Sequence, residues 1–124
     1  MDSTDPPQPL AEQLILLVED EPLIALDMED ILRRAGARVL CVGTLTAALQ
    51  VARRTDVTAA VLDYRISGRT IEPVCAILEV RGAPFILTTG DVQANTNGYP
   101  TLSKPVAQKD LVDALRKALG VDRD

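Results

Sequence analysis

The chain has 124 residues, which suits one domain with a core of its own and leaves little room for a second. A net charge of −5, 2% aromatic residues and no run of Lys or Arg longer than two argue against nucleic-acid binding, which needs a basic face or stacking platforms. The chain has no His and no CxxC motif, which excludes Ser-His-Asp and Cys-His catalysis and leaves no basis for a zinc site.

Residues 1–12 are polar and carry Pro6, Pro7 and Pro9, and are expected as a flexible N-terminal tail ahead of a domain over 13–121. They lack the basic and apolar regions of a secretory signal, and no apolar run nears the roughly 18 residues that span a membrane. A cytoplasmic location without membrane contact is therefore expected. Leu14–Val18 is apolar at consecutive positions, as in a parallel strand buried on both faces. Glu19-Asp20-Glu21 ends it, and Pro22 opens a helix to about Ala35 with Ile24, Met28, Ile31, Leu32 and Ala35 on one stripe. A strand over Arg38–Val42 follows, then Thr44 as N-cap of a helix that buries Leu45, Ala48, Leu49 and Ala52.

The third strand, Ala59–Leu62, runs onto Asp63, and Ser67-Gly68-Arg69 reads as a loop. A helix from about Ile71 to Arg81 turns Val74, Cys75 and Leu78 inward and stops at Gly82. Phe85–Thr88 is a strand ending at Thr89-Gly90. The polar stretch from Asp91 to Gly98 has no apolar helical face and predicts a loop or one weak turn. A short strand over 100–102 leads to Ser103-Lys104-Pro105, and a last helix over about 107–119 buries Leu111, Val112, Leu115, Ala118 and Leu119. Cys41 and Cys75 both lie in apolar segments and are expected as buried, reduced thiols.

Strands alternating with helices predict an α/β fold with a parallel sheet covered on both faces. Such sheets bind at the carboxyl ends of their strands. Glu19, Asp20, Asp63, Thr89 and Lys104 all follow strands, so they converge on one end. Clustered carboxylates repel one another unless a cation compensates, and oxygen-only ligands suit a hard ion such as Mg²⁺. A carboxylate in that setting can act as a nucleophile toward a phosphoryl group, with Lys104 and the Thr89 hydroxyl pairing with phosphoryl oxygens.

Leu17-Val18-Glu19-Asp20-Glu21, Val61-Leu62-Asp63, Leu87-Thr88-Thr89-Gly90 and Ser103-Lys104-Pro105 together resemble bacterial two-component response-regulator receiver domains, in the family's order. The resemblance covers about residues 12–120. It implies a flavodoxin-like, doubly wound five-stranded sheet of order 2-1-3-4-5, here with the fourth helix short or irregular. It implies Asp63 as phosphoacceptor, Thr89 as switch hydroxyl and Lys104 as phosphate-binding lysine. It also implies Mg²⁺ held by Glu19, Asp20, Asp63 and the backbone carbonyl of Arg65. The Lys104-Pro105 bond is usually cis in this family. The partner implied is a sensor histidine kinase or histidine phosphotransferase, in phosphorelay signal transduction, with a downstream protein to receive the signal. The protein is expected to stand alone and not to be an enzyme beyond self-phosphorylation and self-dephosphorylation. Thr89-Gly90 and the short segment after it resemble an atypical subgroup of single-domain receivers, mainly from alphaproteobacteria.

The sequence departs from the family in the fourth helix, which reads as degenerate, and just before the lysine. Thr101 or Leu102 stands where an aromatic residue is expected before the lysine, and the nearest ring is Tyr99. A receiver fold serving as a phosphorylation-independent interaction module is therefore the alternative. A haloacid-dehalogenase type of phosphatase would need a second Asp two residues after the nucleophile, where Arg65 stands.

Overall fold

Runs of Leu, Ile, Val and Ala form the strands of a computed structural model that describes residues 8–121. In chain order the elements are β1 (Leu14–Val18), α1 (Pro22–Arg34), β2 (Arg38–Val42), α2 (Leu45–Arg54) and β3 (Ala59–Asp63). A hairpin of β4 (Arg65–Ile66) and β5 (Arg69–Thr70) comes next, then α3 (Glu72–Arg81), β6 (Phe85–Thr89), β7 (Thr101–Ser103) and α4 (Gln108–Leu119). The main sheet has the order β2-β1-β3-β6-β7 with every pair parallel. With the small hairpin set aside, this is the predicted 2-1-3-4-5 order of a doubly wound, flavodoxin-like fold. Among the described residues, no helix is long and apolar enough to cross a membrane.

Strand alternation divides the core in two. Leu16, Val18, Ala60, Leu62, Phe85 and Leu87 face α2 and α3, and meet Ala48, Ala52, Val74, Cys75 and Leu78. Ile15, Leu17, Ala59, Val61 and Ile86 face α1 and α4, and meet Met28, Ile31, Leu32, Leu111, Val112 and Leu115. All three aromatic rings of the chain, Tyr64, Phe85 and Tyr99, belong to the first layer, where Phe85 and Tyr99 meet edge to face at 5.0 Å. Thr44 caps α2 as predicted, its hydroxyl accepting from the Ala47 N–H.

Two expectations need correction. Residues 8–12 of the expected tail are folded: Leu10 is fully buried against the α1–α4 layer, and its N–H donates to the Ala35 carbonyl at 2.8 Å. Gly36 permits this approach, because a Cβ there would stand 2.8 Å from the Gln8 Cβ. Residues 1–7 lie outside the described residues. Leu10→Ala is therefore expected to destabilise the fold by about 3 kcal/mol, read as a lower urea midpoint with unchanged slope. Cys41 is the second correction. It is exposed, because β2 is an edge strand with little over it, whereas Cys75 is buried as expected.

Of the predicted loop at 67–69, Ser67 and Gly68 form the turn of the β4–β5 hairpin and Arg69 opens β5. Ser67 and Gly68 both take positive φ, 52° and 81°, which suits the twist of a two-residue hairpin turn. Between β6 and β7 there are only turns, as the sequence predicts for the fourth helix position.

Candidate functional site

The carboxyl ends of β1, β3, β6 and β7 bring together the residues expected to act. Glu19 follows β1 directly and is buried, its Oε2 accepting the Glu21 N–H at 3.0 Å. Asp63 is the last residue of β3 and is also buried. Lys104 follows β7. Its backbone N–H donates to the Thr89 carbonyl at 2.8 Å, which fixes where the side chain starts. The Lys104 Nζ then lies 2.9 Å from Glu19 Oε1 and 3.1 Å from Asp63 Oδ2, so one ammonium bridges two strand ends. The Lys104-Pro105 peptide is cis, as the resemblance implies.

Asp20 is the least buried of the three acids. Its Oδ2 accepts the Ser67 N–H at 3.0 Å, which ties the β1 end to the hairpin turn. Glu19, Asp20 and Asp63 each place one oxygen within 4.8 Å of the others. Glu19 Oε1 is buried and receives no hydrogen bond, although the Lys104 ammonium stands 2.9 Å away. A buried carboxylate oxygen that makes an ion pair but no hydrogen bond is a ligand atom available to a cation. An all-oxygen set of this kind fits a hard divalent ion such as Mg²⁺.

Burial, reinforced by the Glu19 charge, pushes the Asp63 carboxyl up to about 6 against the pull of Lys104. Burial opposes the Lys104 ammonium too, but the Glu19 and Asp63 carboxylates outweigh it and raise the lysine above its ordinary value.

Thr88 sits in register with Asp63 across β3 and β6 and is buried. Thr89 is one residue nearer the strand end, and its hydroxyl is engaged by Asp91, accepting from the N–H at 3.0 Å and donating to the carbonyl at 3.4 Å. The Arg65 side chain is exposed and does not join the cluster; its guanidinium carbon stands 5.5 Å from the centroid of the Tyr64 ring. Sequence reasoning missed two features around the cluster. One is the Ser67 N–H on Asp20, for which a Ser-Gly pair between short apolar segments is only a faint signal. The other is Tyr64, buried beside the site, with its hydroxyl donating to the Asn95 carbonyl at 3.0 Å.

No protein-family model and no curated protein matches the chain. Solved structures do. The chain is similar to SdrG from Sphingomonas melonis Fr1, with 34% identity and a TM-score of 0.75 over 86% of this chain and 95% of that one. It is similar to the receiver domain of a sensor histidine kinase from Pseudomonas aeruginosa, at 28% identity and a TM-score of 0.79, covering 89% of this chain and 99% of the other. That structure holds a magnesium ion coordinated in its active-site cleft. A response-regulator receiver protein from Sinorhizobium medicae shares the fold at 22% identity and a TM-score of 0.79, over 87% and 94% of the two chains. The strand order and the acid–lysine cluster, derived from this chain alone, agree with these likenesses: the chain belongs to the family of response-regulator receiver domains.

Proposed function

We propose that the protein takes a phosphoryl group onto Asp63 from a histidine kinase or histidine phosphotransferase and works as a phosphoacceptor in signalling rather than as a turnover enzyme. The observation that carries this reading is the Lys104 ammonium, held at 2.9 and 3.1 Å between Glu19 and the buried carboxylate of Asp63. An Asp63 oxygen attacks the phosphorus of a donor phosphohistidine and an O–P bond forms. The P–N bond breaks, and the imidazole nitrogen keeps the electron pair and gains a proton from solvent. Lys104, already placed, pairs with a phosphoryl oxygen, and the Thr89 hydroxyl donates to another. The Glu19, Asp20 and Asp63 carboxylates, with the Arg65 backbone carbonyl, would hold Mg²⁺. When bound, the ion neutralises charge on the phosphoryl oxygens.

Intact mass after incubation with acetyl phosphate and Mg²⁺ tests this. The expected result is a gain of one phosphoryl group that is absent when EDTA replaces Mg²⁺. No gain from acetyl phosphate or from histidine phosphotransferases would reject the reading in favour of a binding module with a receiver fold.

A further inference from the structure

Asp63 and Tyr64 are consecutive at the end of β3, so their side chains leave on opposite faces. Asp63 meets Lys104, whereas Tyr64 turns into the layer under α2 and α3 and is buried there. The Tyr64 backbone is held on both sides, its N–H donating to the Thr88 carbonyl at 2.9 Å and its carbonyl accepting the Ile71 N–H at 2.8 Å. Only its hydroxyl reaches away from this frame, to the Asn95 carbonyl at 3.0 Å.

Asn95 lies in the segment 91–98, which has no helix of its own. The same segment is tied a second time near the site, where Asp91 takes both hydrogen bonds of the Thr89 hydroxyl. Two residues at the phosphoacceptor end of the sheet therefore grip one segment four residues apart, at Asp91 and Asn95. The grips differ in strength. Both Thr89–Asp91 bonds, the accepted N–H at 3.0 Å and the long donated one at 3.4 Å, turn on the position of one threonine hydroxyl, whereas the Tyr64–Asn95 bond has ordinary length and a buried donor.

A hydroxyl has one proton to donate. If Thr89 turns to give its proton to a phosphoryl oxygen on Asp63, it surrenders the Asp91 carbonyl and draws its oxygen away from the Asp91 N–H, so residues 91–94 loosen while Asn95 stays anchored. We propose that Tyr64 is the positioning residue that converts phosphorylation of Asp63 into a defined movement of the segment 91–98, with Asn95 as the pivot. Tyr64 would do this in a chain that has Thr101 and Leu102, not an aromatic, before Lys104. The inference rests on Asp63 being the phosphoacceptor.

The test compares amide hydrogen exchange of the segment with and without Mg²⁺ plus beryllofluoride, a phosphoryl mimic, in the parent and in Tyr64→Phe. The variant keeps the buried ring and loses only the hydroxyl. In the parent, beryllofluoride should speed exchange at 91–94 and leave 95–98 protected. In Tyr64→Phe, exchange at 95–98 should already be about 3–10-fold faster without the mimic, and the contrast between the two halves should vanish when it is added. The rate of phosphoryl uptake from acetyl phosphate should stay unchanged. A parent that takes up the phosphoryl group alongside a Tyr64→Phe variant with the same exchange pattern overturns this inference alone. A parent that takes up none overturns the reading of Asp63 and this inference with it.

Discussion

Asp63→Asn is expected to gain no phosphoryl group from acetyl phosphate and Mg²⁺ and, without Mg²⁺ at pH 7, to melt at a higher temperature than the parent. The loss of uptake follows from chemistry, since a carboxamide oxygen is a poor nucleophile and carries no charge for a cation. The gain in stability follows from burial, which with the Glu19 charge pushes the Asp63 carboxyl up to about 6. A raised carboxyl means the folded state favours the protonated form. The stability that depends on this is fully present below the ordinary carboxyl pKa near 4 and is lost as pH rises through about 6. At pH 7 the parent therefore carries the penalty, and asparagine removes it. Solvent screening at the strand ends and the loss of the Lys104 contact both reduce the gain, leaving about 1–2 kcal/mol, or roughly 3–8 °C in melting temperature. Melting curves from pH 4 to 8 in EDTA check the sign: parent and variant should converge toward pH 4 and separate as pH rises. A variant that melts below the parent at pH 7 would refute the electrostatic account.

Lys104→Met is expected to move stability the opposite way from Asp63→Asn, and phosphoryl uptake the same way. Methionine fills a similar volume but leaves Glu19 and Asp63 facing each other without the ammonium now 2.9 and 3.1 Å from them. Breaking a buried ion pair from one side costs about 3–5 kcal/mol; partial exposure of the lysine lowers this to about 2–3 kcal/mol. Phosphoryl uptake should slow by about 100-fold, since a positioned charge on the transferring group is lost. Mg²⁺ gives a discriminating control. Because the cation supplies the missing positive charge, millimolar Mg²⁺ should raise the melting temperature of Lys104→Met more than that of the parent. Equal shifts would mean that lysine and cation do not share the same carboxylates.

Much of this site was legible because each acting residue closes a strand. Asp63 after Val61-Leu62 and Lys104 before Pro105 needed only strand periodicity and topology to be placed together. The missed features depend on contacts distant in sequence. Leu10 is one apolar residue in a proline-rich stretch, and only the bare Cα of Gly36 lets that stretch close on Ala35. Tyr64 follows Asp63, and nothing in the sequence around it shows that its ring lies under α2 and α3, with its hydroxyl on a residue 31 positions away. Cys41 was misread because an apolar run does not reveal whether its strand is central or at an edge.

The Glu19–Lys104–Asp63 cluster also bears on how such a chain drifts over generations. Most substitutions make a protein less stable, so a neutral lineage keeps those rare changes that help it fold. Exchanging Asp63 for its amide is expected to be such a change, a single step that improves folding and removes phosphoryl acceptance. A lineage that had stopped using the site would have that downhill route open to it. Under the proposed function, the acid–lysine set keeps a stability cost that a chain without phosphoryl chemistry would have no reason to carry.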